Sequence, residues 1–268
     1  MLDPFKRAIN YLRISVTDRC NLRCIYCMPA GGIDLKRHRD ILSYEQIGQV
    51  VEEAVGLGID KVRLTGGEPL VRKDTAFLIR QLKTITGLRE LTLTTNGLLL
   101  KEMAGELKRS GLDRLNISLD TLDPDMYRRL TRIGDIRQVL NGIDAALEAG
   151  FQNTKINMVL LPGINDQQVE SMKAFCAQKG LSLQRINAYS LDDLTSLDSH
   201  HQAERPLPCE LCNRIRLTAD GKLKPCLFSD LEIPIDFTNI RATLTSAIHH
   251  KPPKGTACHH RQNWQIGG

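Results

Sequence analysis

Hydrophobic and polar positions along the chain alternate between two periods from about residue 10 to residue 190. Short β-branched or leucine-rich runs at Leu12–Val16, Lys61–Thr65, Leu91–Thr95, Leu115–Leu119, Lys155–Leu161 and Leu183–Ala188 predict strands. Between them, residues 43–57, 73–86, 100–110, 124–149 and 166–179 carry apolar residues at helical spacing. Ser43 followed by Gln46 has the form of a capping box. Asp123 before Pro124 has the form of an N-cap followed by proline in the first turn. Gly58, Gly111, Gly150 and Gly180 stand where helices commonly end in a left-handed glycine. Six strand–helix units with short connections predict a parallel sheet with right-handed crossovers, hence an α/β fold, either an open sheet or a partial (βα)6 barrel. In both, the ligand site is expected at the carboxyl ends of the strands.

The pattern changes after Tyr189. Leu191–Pro208 is polar and irregular, and Ala219-Asp220-Gly221-Lys222 reads as a turn between two short strands. A boundary is expected near 190, dividing residues 1–190 from a smaller unit at 191–268.

Composition adds less. The chain has 268 residues, 25% charged and 41% hydrophobic, with a formal net charge of +5. That excess suits an anionic small molecule but is too small for a nucleic-acid footprint. No apolar run reaches membrane-spanning length, and the first residues lack the features of a signal peptide. Neither a membrane nor a nucleic acid is therefore expected as a partner, and a cytoplasmic location is expected. Disulfides are rare there, so the eight cysteines need another purpose.

Six of them fall into two groups. Cys20, Cys24 and Cys27 form C-x3-C-x2-C directly after the first predicted strand. Thiolates are soft ligands, and three on one loop can hold three irons of a four-iron cluster, leaving the fourth iron open. A structural zinc site wants a fourth protein ligand, and none stands at familiar spacing. Gly66-Gly67-Glu68-Pro69, Thr94-Thr95-Asn96-Gly97 and Ser118-Leu119-Asp120 end the next strands. Glycines at a strand end allow close backbone approach to a ligand, and Glu68 can accept from an amino group. The second group, Cys209, Cys212 and Cys226, forms C-x2-C-x13-C. Its spacing fits a second cluster, and equally a zinc ion that recruits Cys258, His259, His260 or His200.

The first group and the strand-end motifs resemble the radical S-adenosylmethionine (SAM) superfamily. The resemblance implies a partial TIM-type barrel and a cluster whose open iron binds the amino and carboxylate groups of SAM, which is cleaved to methionine and a 5′-deoxyadenosyl radical. Within that superfamily, Arg13–Cys20 (RISVTDRC), Arg63–Leu70 (RLTGGEPL), Leu93–Leu100 (LTTNGLLL), Asn116–Asp120 (NISLD), Gly163–Asp166, Cys212–Lys222, Cys226–Phe228 and the terminal Gln265–Gly268 resemble the MoaA family, the GTP 3′,8-cyclases of molybdenum cofactor biosynthesis. The resemblance covers nearly the whole chain. It implies two [4Fe-4S] clusters, one on Cys20, Cys24 and Cys27 and one on Cys209, Cys212 and Cys226. It implies SAM contacts from Tyr26, Gly67, Glu68 and Ser118. It implies GTP contacts from Arg13, Arg63, Thr94, Lys155, Arg214 and Arg216, with Arg13, Arg214 and Arg216 also serving catalysis.

The implied reaction takes the ribose 3′ hydrogen of GTP and joins that carbon to C8 of guanine. The implied partners are a flavodoxin- or ferredoxin-type reductant and a downstream pyranopterin synthase. The chain departs from the family in a shorter stretch between Tyr189 and Cys209, in Tyr189 where the family has a SAM-contacting methionine, and in Gln184 at a family arginine. Two other readings share these motifs: a radical SAM enzyme acting on a peptide with the second cluster auxiliary, and a zinc-bearing binding module.

Overall fold

A computed structural model describes residues 1–191 and 207–267. Six strands follow the expected order: β1 (Tyr11–Ser15), β2 (Lys61–Thr65), β3 (Glu90–Thr95), β4 (Arg114–Ser118), β5 (Lys155–Leu160) and β6 (Ser182–Asn187). Each pairs in parallel with its neighbour. The helices between them are α1 (Tyr44–Gly56), α2 (Thr75–Lys83), α3 (Leu100–Arg109), α4 (Pro124–Thr131), α5 (Ile136–Glu148) and α6 (Val169–Gln178). The Ser43–Gln46 capping box closes in both directions, and the Asp123 carboxylate accepts from Met126 N. This is the partial barrel expected of the chain. Among the described residues no helix is long and apolar enough to cross a membrane.

The expected single helix over 124–149 is instead two helices. The chain leaves α4 at Arg132, whose φ is +66°, and restarts at the N-cap Asp135, whose carboxylate accepts from Arg137 N. A side chain with a Cβ rarely takes such a backbone conformation without a compensating contact. The compensation lies in the cysteine loop, described below.

Residues 214–234 add three strands to the same sheet. β7 (Arg214–Leu217) pairs in parallel with β1, and β8 (Lys222–Lys224) and β9 (Ile233–Pro234) follow antiparallel, giving the order β6-β5-β4-β3-β2-β1-β7-β8-β9. The turn expected at 219–222 joins β7 to β8, with Thr218 N donating to Lys222 O and Lys222 N to Thr218 Oγ1. Helix α7 (Ile240–His249) then packs beside α1, and the short α8 (Asn263–Ile266) ends near β1.

Strand alternation divides the sheet into two faces. Leu12, Ile14, Val62, Leu64, Leu91, Leu93, Leu115, Ile117, Ile156, Met158, Ile215 and Leu217 are all buried in one continuous apolar core with the helices. The intervening residues, among them Tyr11, Arg13, Arg63, Thr94, Ser118, Asn157, Gln184, Arg214 and Arg216, line a lumen on the opposite face. A one-residue slip of any strand would exchange these sets, so burial of the apolar face fixes which side chains meet the ligand. A smaller core of Leu191, Leu227, Phe228, Cys258 and Ile266 supports the C-terminal segment, with Tyr189 packed edge-on against Phe228.

Helices α3 and α5 lie in close contact at Gly142, where a Cβ would come within 2.5 Å of the Gly97 carbonyl oxygen and 3.0 Å of Leu100 Cβ. Backbone cannot yield as a flexible side chain can. Gly142→Ala should therefore cost about 1–3 kcal/mol of stability through overpacking while leaving the circular dichroism spectrum unchanged. An unaltered thermal midpoint would show that the helices part freely there.

Candidate active site

The loop that follows β1 carries Cys20, Cys24 and Cys27 to one wall of the lumen. Other elements hold its backbone. Gly67 N donates to Thr17 O at 2.8 Å and Glu68 N to Arg19 O at 2.7 Å, so the end of β2 is fastened to the loop. A Cβ on Gly67 would meet Arg19 O at 2.3 Å, and one on Gly66 would meet Thr17 O at 2.7 Å, which is why this junction takes two glycines. From behind, Arg23 N donates to Thr131 O and Ile25 N to Leu130 O. The Arg132 guanidinium donates to Arg23 O at 2.6 Å and Met28 O at 2.8 Å, which accounts for its backbone conformation.

Burial pushes the Cys20 and Cys24 thiols up and the Cys27 thiol up to about 12. Such thiols become thiolates only against a strong positive charge, as metal ligation supplies. The three cysteines sit on one loop at the wall of the lumen, and a four-iron cluster takes one cysteine per iron.

The strand ends beside this loop are tied together by buried polar groups. Glu68 is 1% exposed; its Oε1 accepts from Leu70 N and Thr95 Oγ1 and its Oε2 from Asn96 N, at 2.7–3.0 Å. Burial raises it to about 7. Three of its roughly four acceptor positions thus serve the protein. Tyr26 donates its hydroxyl to Asp120 Oδ2 at 2.6 Å, and Asp120 Oδ1 accepts from Val159 N, while burial raises that acid to about 6. Asn165 donates to both Asp120 O and Val159 O and accepts from Leu161 N, locking β4 to β5. Ser118 lies on the cavity wall beside them.

The opposite wall is cationic. Strand register places Arg13 opposite Arg63 on one side and Arg216 on the other, with Tyr11 opposite Arg214. The Tyr11 ring lies between the Arg63 and Arg214 guanidinium groups, each 5.6 Å from its centre. Burial first, then Arg216, pull Arg13 down to about 9. Burial likewise lowers Arg63 and Arg216, the latter 5% exposed. The Nε atoms of Arg13, Arg214 and Arg216 are buried without a partner. Among the described residues none of the four arginines forms an ion pair with a carboxylate. Buried like charges repel and are poorly solvated, so this wall calls for a polyanionic ligand. Arg13 also donates to Gly267 O at 2.9 Å, which brings the C-terminal segment into the cavity. A Cβ on Gly267 would strike Thr65 Oγ1 at 2.0 Å.

The cavity enclosed by both walls measures about 290 Å³ and also meets Thr94, Gln184 and Tyr189. Lys155 faces the same side of the sheet but lies outside the lining residues.

Cys212 and Cys226 come together beyond β7, around the ammonium of Lys251. Cys209 begins the turn that leads into Cys212, and its carbonyl accepts from Arg7. Of the further ligands a zinc could recruit, Cys258 is buried in the small apolar core, accepting from Lys224 Nζ, and His259 and His260 are exposed beside Asp230. His200 lies outside the described residues. The tail itself is moored by Arg261, which donates to Asp220 and twice to Glu232 at 2.7–2.9 Å. Asp220 also pairs with Lys36, which follows the first cysteine loop.

The family model for the radical SAM superfamily matches residues 14–176. GTP 3′,8-cyclase of Moorella thermoacetica is 41% identical over 327 aligned positions that cover all of both chains. That of Petrotoga mobilis is 42% identical, covering 87% of this chain and 85% of its own. The chain belongs to the GTP 3′,8-cyclase family of radical SAM enzymes. Its fold is also that of native anSMEcpe with bound AdoMet, at a TM-score of 0.63 and 14% identity over 91% of this chain and 81% of that one. Methylornithine synthase is similar at a TM-score of 0.56 and 18% identity, over 91% of this chain and 70% of its own. Membership of the radical SAM superfamily implies a four-iron cluster and SAM.

Of the residues expected from the sequence, Arg13, Cys20, Cys24, Tyr26, Cys27, Arg63, Gly67, Glu68, Thr94, Ser118, Arg214 and Arg216 line this one cavity, while Lys155, Cys209, Cys212 and Cys226 do not. The contacts that sequence reasoning missed are Arg132, Asn165, Lys251 and Arg261. Each acts through a side chain bonded to a distant backbone or carboxylate, and no spacing announces that. Arg132 carries a test. Replacing it by alanine removes two charge-assisted hydrogen bonds of about 1.5–3 kcal/mol each. In a background lacking Cys209, Cys212 and Cys226, the Arg132→Ala protein should retain markedly less iron after anaerobic reconstitution. Iron and sulfide equal to the parent's would mean that the loop holds its shape unaided.

Proposed function

We propose that this chain is a GTP 3′,8-cyclase, a lyase that converts GTP to (8S)-3′,8-cyclo-7,8-dihydroguanosine 5′-triphosphate. The single observation that carries this reading is the cluster of Arg13, Arg63, Arg214 and Arg216, which have no carboxylate partner among the described residues, in the same cavity as the first cysteine loop. A peptide substrate gives no reason to gather four uncompensated guanidinium groups. A nucleoside triphosphate does, and planar guanidinium forks suit both phosphate oxygens and base edges.

In this reading Cys20, Cys24 and Cys27 hold the cluster that binds SAM, and Cys209, Cys212 and Cys226 hold a second. With its cluster reduced and SAM bound, the site supplies a carbon-centred radical for hydrogen abstraction. The chain's own residues do the positioning. Tyr26, held by Asp120, together with Gly67 and Ser118, would contact SAM, and the remaining acceptor position of Glu68 would serve its amino group. Thr94, Arg63 and Lys155 serve the nucleotide, with Lys155 engaging only phosphates that extend past the enclosed cavity. Arg13, held by the Gly267 carbonyl, Arg214, stacked on Tyr11, and Arg216, held by β7, fix the ribose and base. Holding reacting atoms in place matters because a displacement of about 1 Å can cost on the order of a hundredfold in rate. A flavodoxin- or ferredoxin-type reductant, a downstream pyranopterin synthase and a cytoplasmic location complete the reading, with residues 1–190 as the SAM-binding part and 191–268 as the substrate-side part.

Anaerobic incubation with SAM, a reductant and GTP, followed by product detection, tests the reaction; deoxyadenosine without any cyclised nucleotide would refute it. Arg214→Ala and Arg216→Ala should each retain some uncoupled SAM cleavage. Each loses a charge-assisted contact of about 1.5–3 kcal/mol, so GTP binding should weaken roughly ten- to a hundredfold. Equal GTP affinity in wild type and both variants, by anaerobic calorimetry, would remove them from the substrate site.

A further inference from the structure

Lys251 follows helix α7 and is 3% exposed. Its ammonium donates to Arg214 O at 2.9 Å and Pro225 O at 2.8 Å, and it acts electrostatically on the Cys212 and Cys226 sulfurs. Among the described residues it has no carboxylate partner. An unpaired buried ammonium is costly unless an anion stands against it. The groups that face it are the thiols of Cys212 and Cys226, and the guanidinium of Arg7 adds a repulsive charge. Arg7 differs in being neutralised by Asp3 at 2.6 Å; it fixes Cys209 O, Pro252 O and Pro253 O. Together the two cations pin the backbone beside all three C-terminal cysteines, and Lys251, unlike Arg7, brings uncompensated charge to the sulfurs, alongside Arg214 at Cys212 and Arg216 at Cys226.

We propose that Lys251 is the built-in counter-charge of the C-terminal cluster site and sets the reduction potential of the cluster bound there. This rests on the reading that Cys209, Cys212 and Cys226 hold a four-iron cluster. A cluster ligated by three thiolates is anionic and gains a further negative charge on reduction. A fixed cation beside its ligand sulfurs stabilises the reduced form more than the oxidised form, which raises the potential. The same ammonium spans Arg214, two residues after Cys212, and Pro225, immediately before Cys226, so it keeps the two ligand segments at fixed separation. Lys251 is thus a positioning residue that acts through the cluster's ligands and touches neither substrate nor SAM.

The test is a spectroscopically monitored redox titration of the anaerobically reconstituted full chain, as wild type, Lys251→Met and Lys251→Arg. The methionine variant keeps the length and loses the charge. Its C-terminal cluster should show a lower midpoint than wild type, while the N-terminal cluster, an internal control, stays unmoved. The arginine variant should lie near wild type. An unchanged C-terminal midpoint in Lys251→Met, or an equal shift at both clusters, overturns the inference. If Lys251→Met binds no second cluster, the arginine variant decides: retention of that cluster supports the counter-charge, and loss contradicts it. A wild type holding about four irons per chain instead of about eight overturns the two-cluster reading itself, and the inference with it.

Discussion

Parallel pairing of β7 with β1 brings Arg216 beside Arg13 and Arg214 beside Tyr11, and the remaining features of the cavity answer to that contact. Without it the lumen would carry two arginines on adjacent strands, an ordinary solvated pair. With it, four guanidinium groups share one enclosed wall, and burial and mutual repulsion depress Arg13 to about 9. The aromatic ring of Tyr11 eases the crowding by offering a π-face to Arg63 and Arg214. The unmet charge is a standing demand for a polyanion, held in place by an apolar core on the other face of the same strands.

The wall that faces it is built on a different principle. There the polar groups are nearly all satisfied within the protein: Glu68 by three donors, Asp120 by two, Asn165 by three contacts, and the cysteine loop by the ends of β2 and α4. A saturated frame is stiff, and stiffness is what a cluster needs from the loop that ligates it. The C-terminal segment joins the two walls. Arg261 moors it through Asp220 and Glu232, Asp220 reaches Lys36 beyond the cysteine loop, and Gly267 closes on Arg13. Ligand chemistry at one wall is therefore mechanically continuous with the other.

Much of this was legible in the chain alone. Period-two apolar runs located β1 to β6 to within a residue or two, and Ser43, Asp123 and the four helix-ending glycines marked real termini. The site residues at strand ends were legible because α/β topology places all such ends on one rim. What was hidden has a common cause. The break between α4 and α5 depends on Arg132 reaching carbonyls of residues 23 and 28, a contact more than a hundred residues away in sequence. The pairing of β7 with β1 joins segments two hundred residues apart and leaves no local period. Lys155 sits in register with the lumen-facing residues, yet register does not tell how far along a strand the cavity extends.

In the proposed reaction the cationic wall presents the ribose of GTP to a radical generated at the opposite wall of one cavity. Anaerobic turnover with GTP carrying deuterium at the ribose 3′ carbon tests it most directly, through the mass of the deoxyadenosine formed. Deuterium should be transferred into deoxyadenosine, in step with cyclised nucleotide. Deoxyadenosine free of deuterium, with the label retained in unreacted GTP, would contradict it.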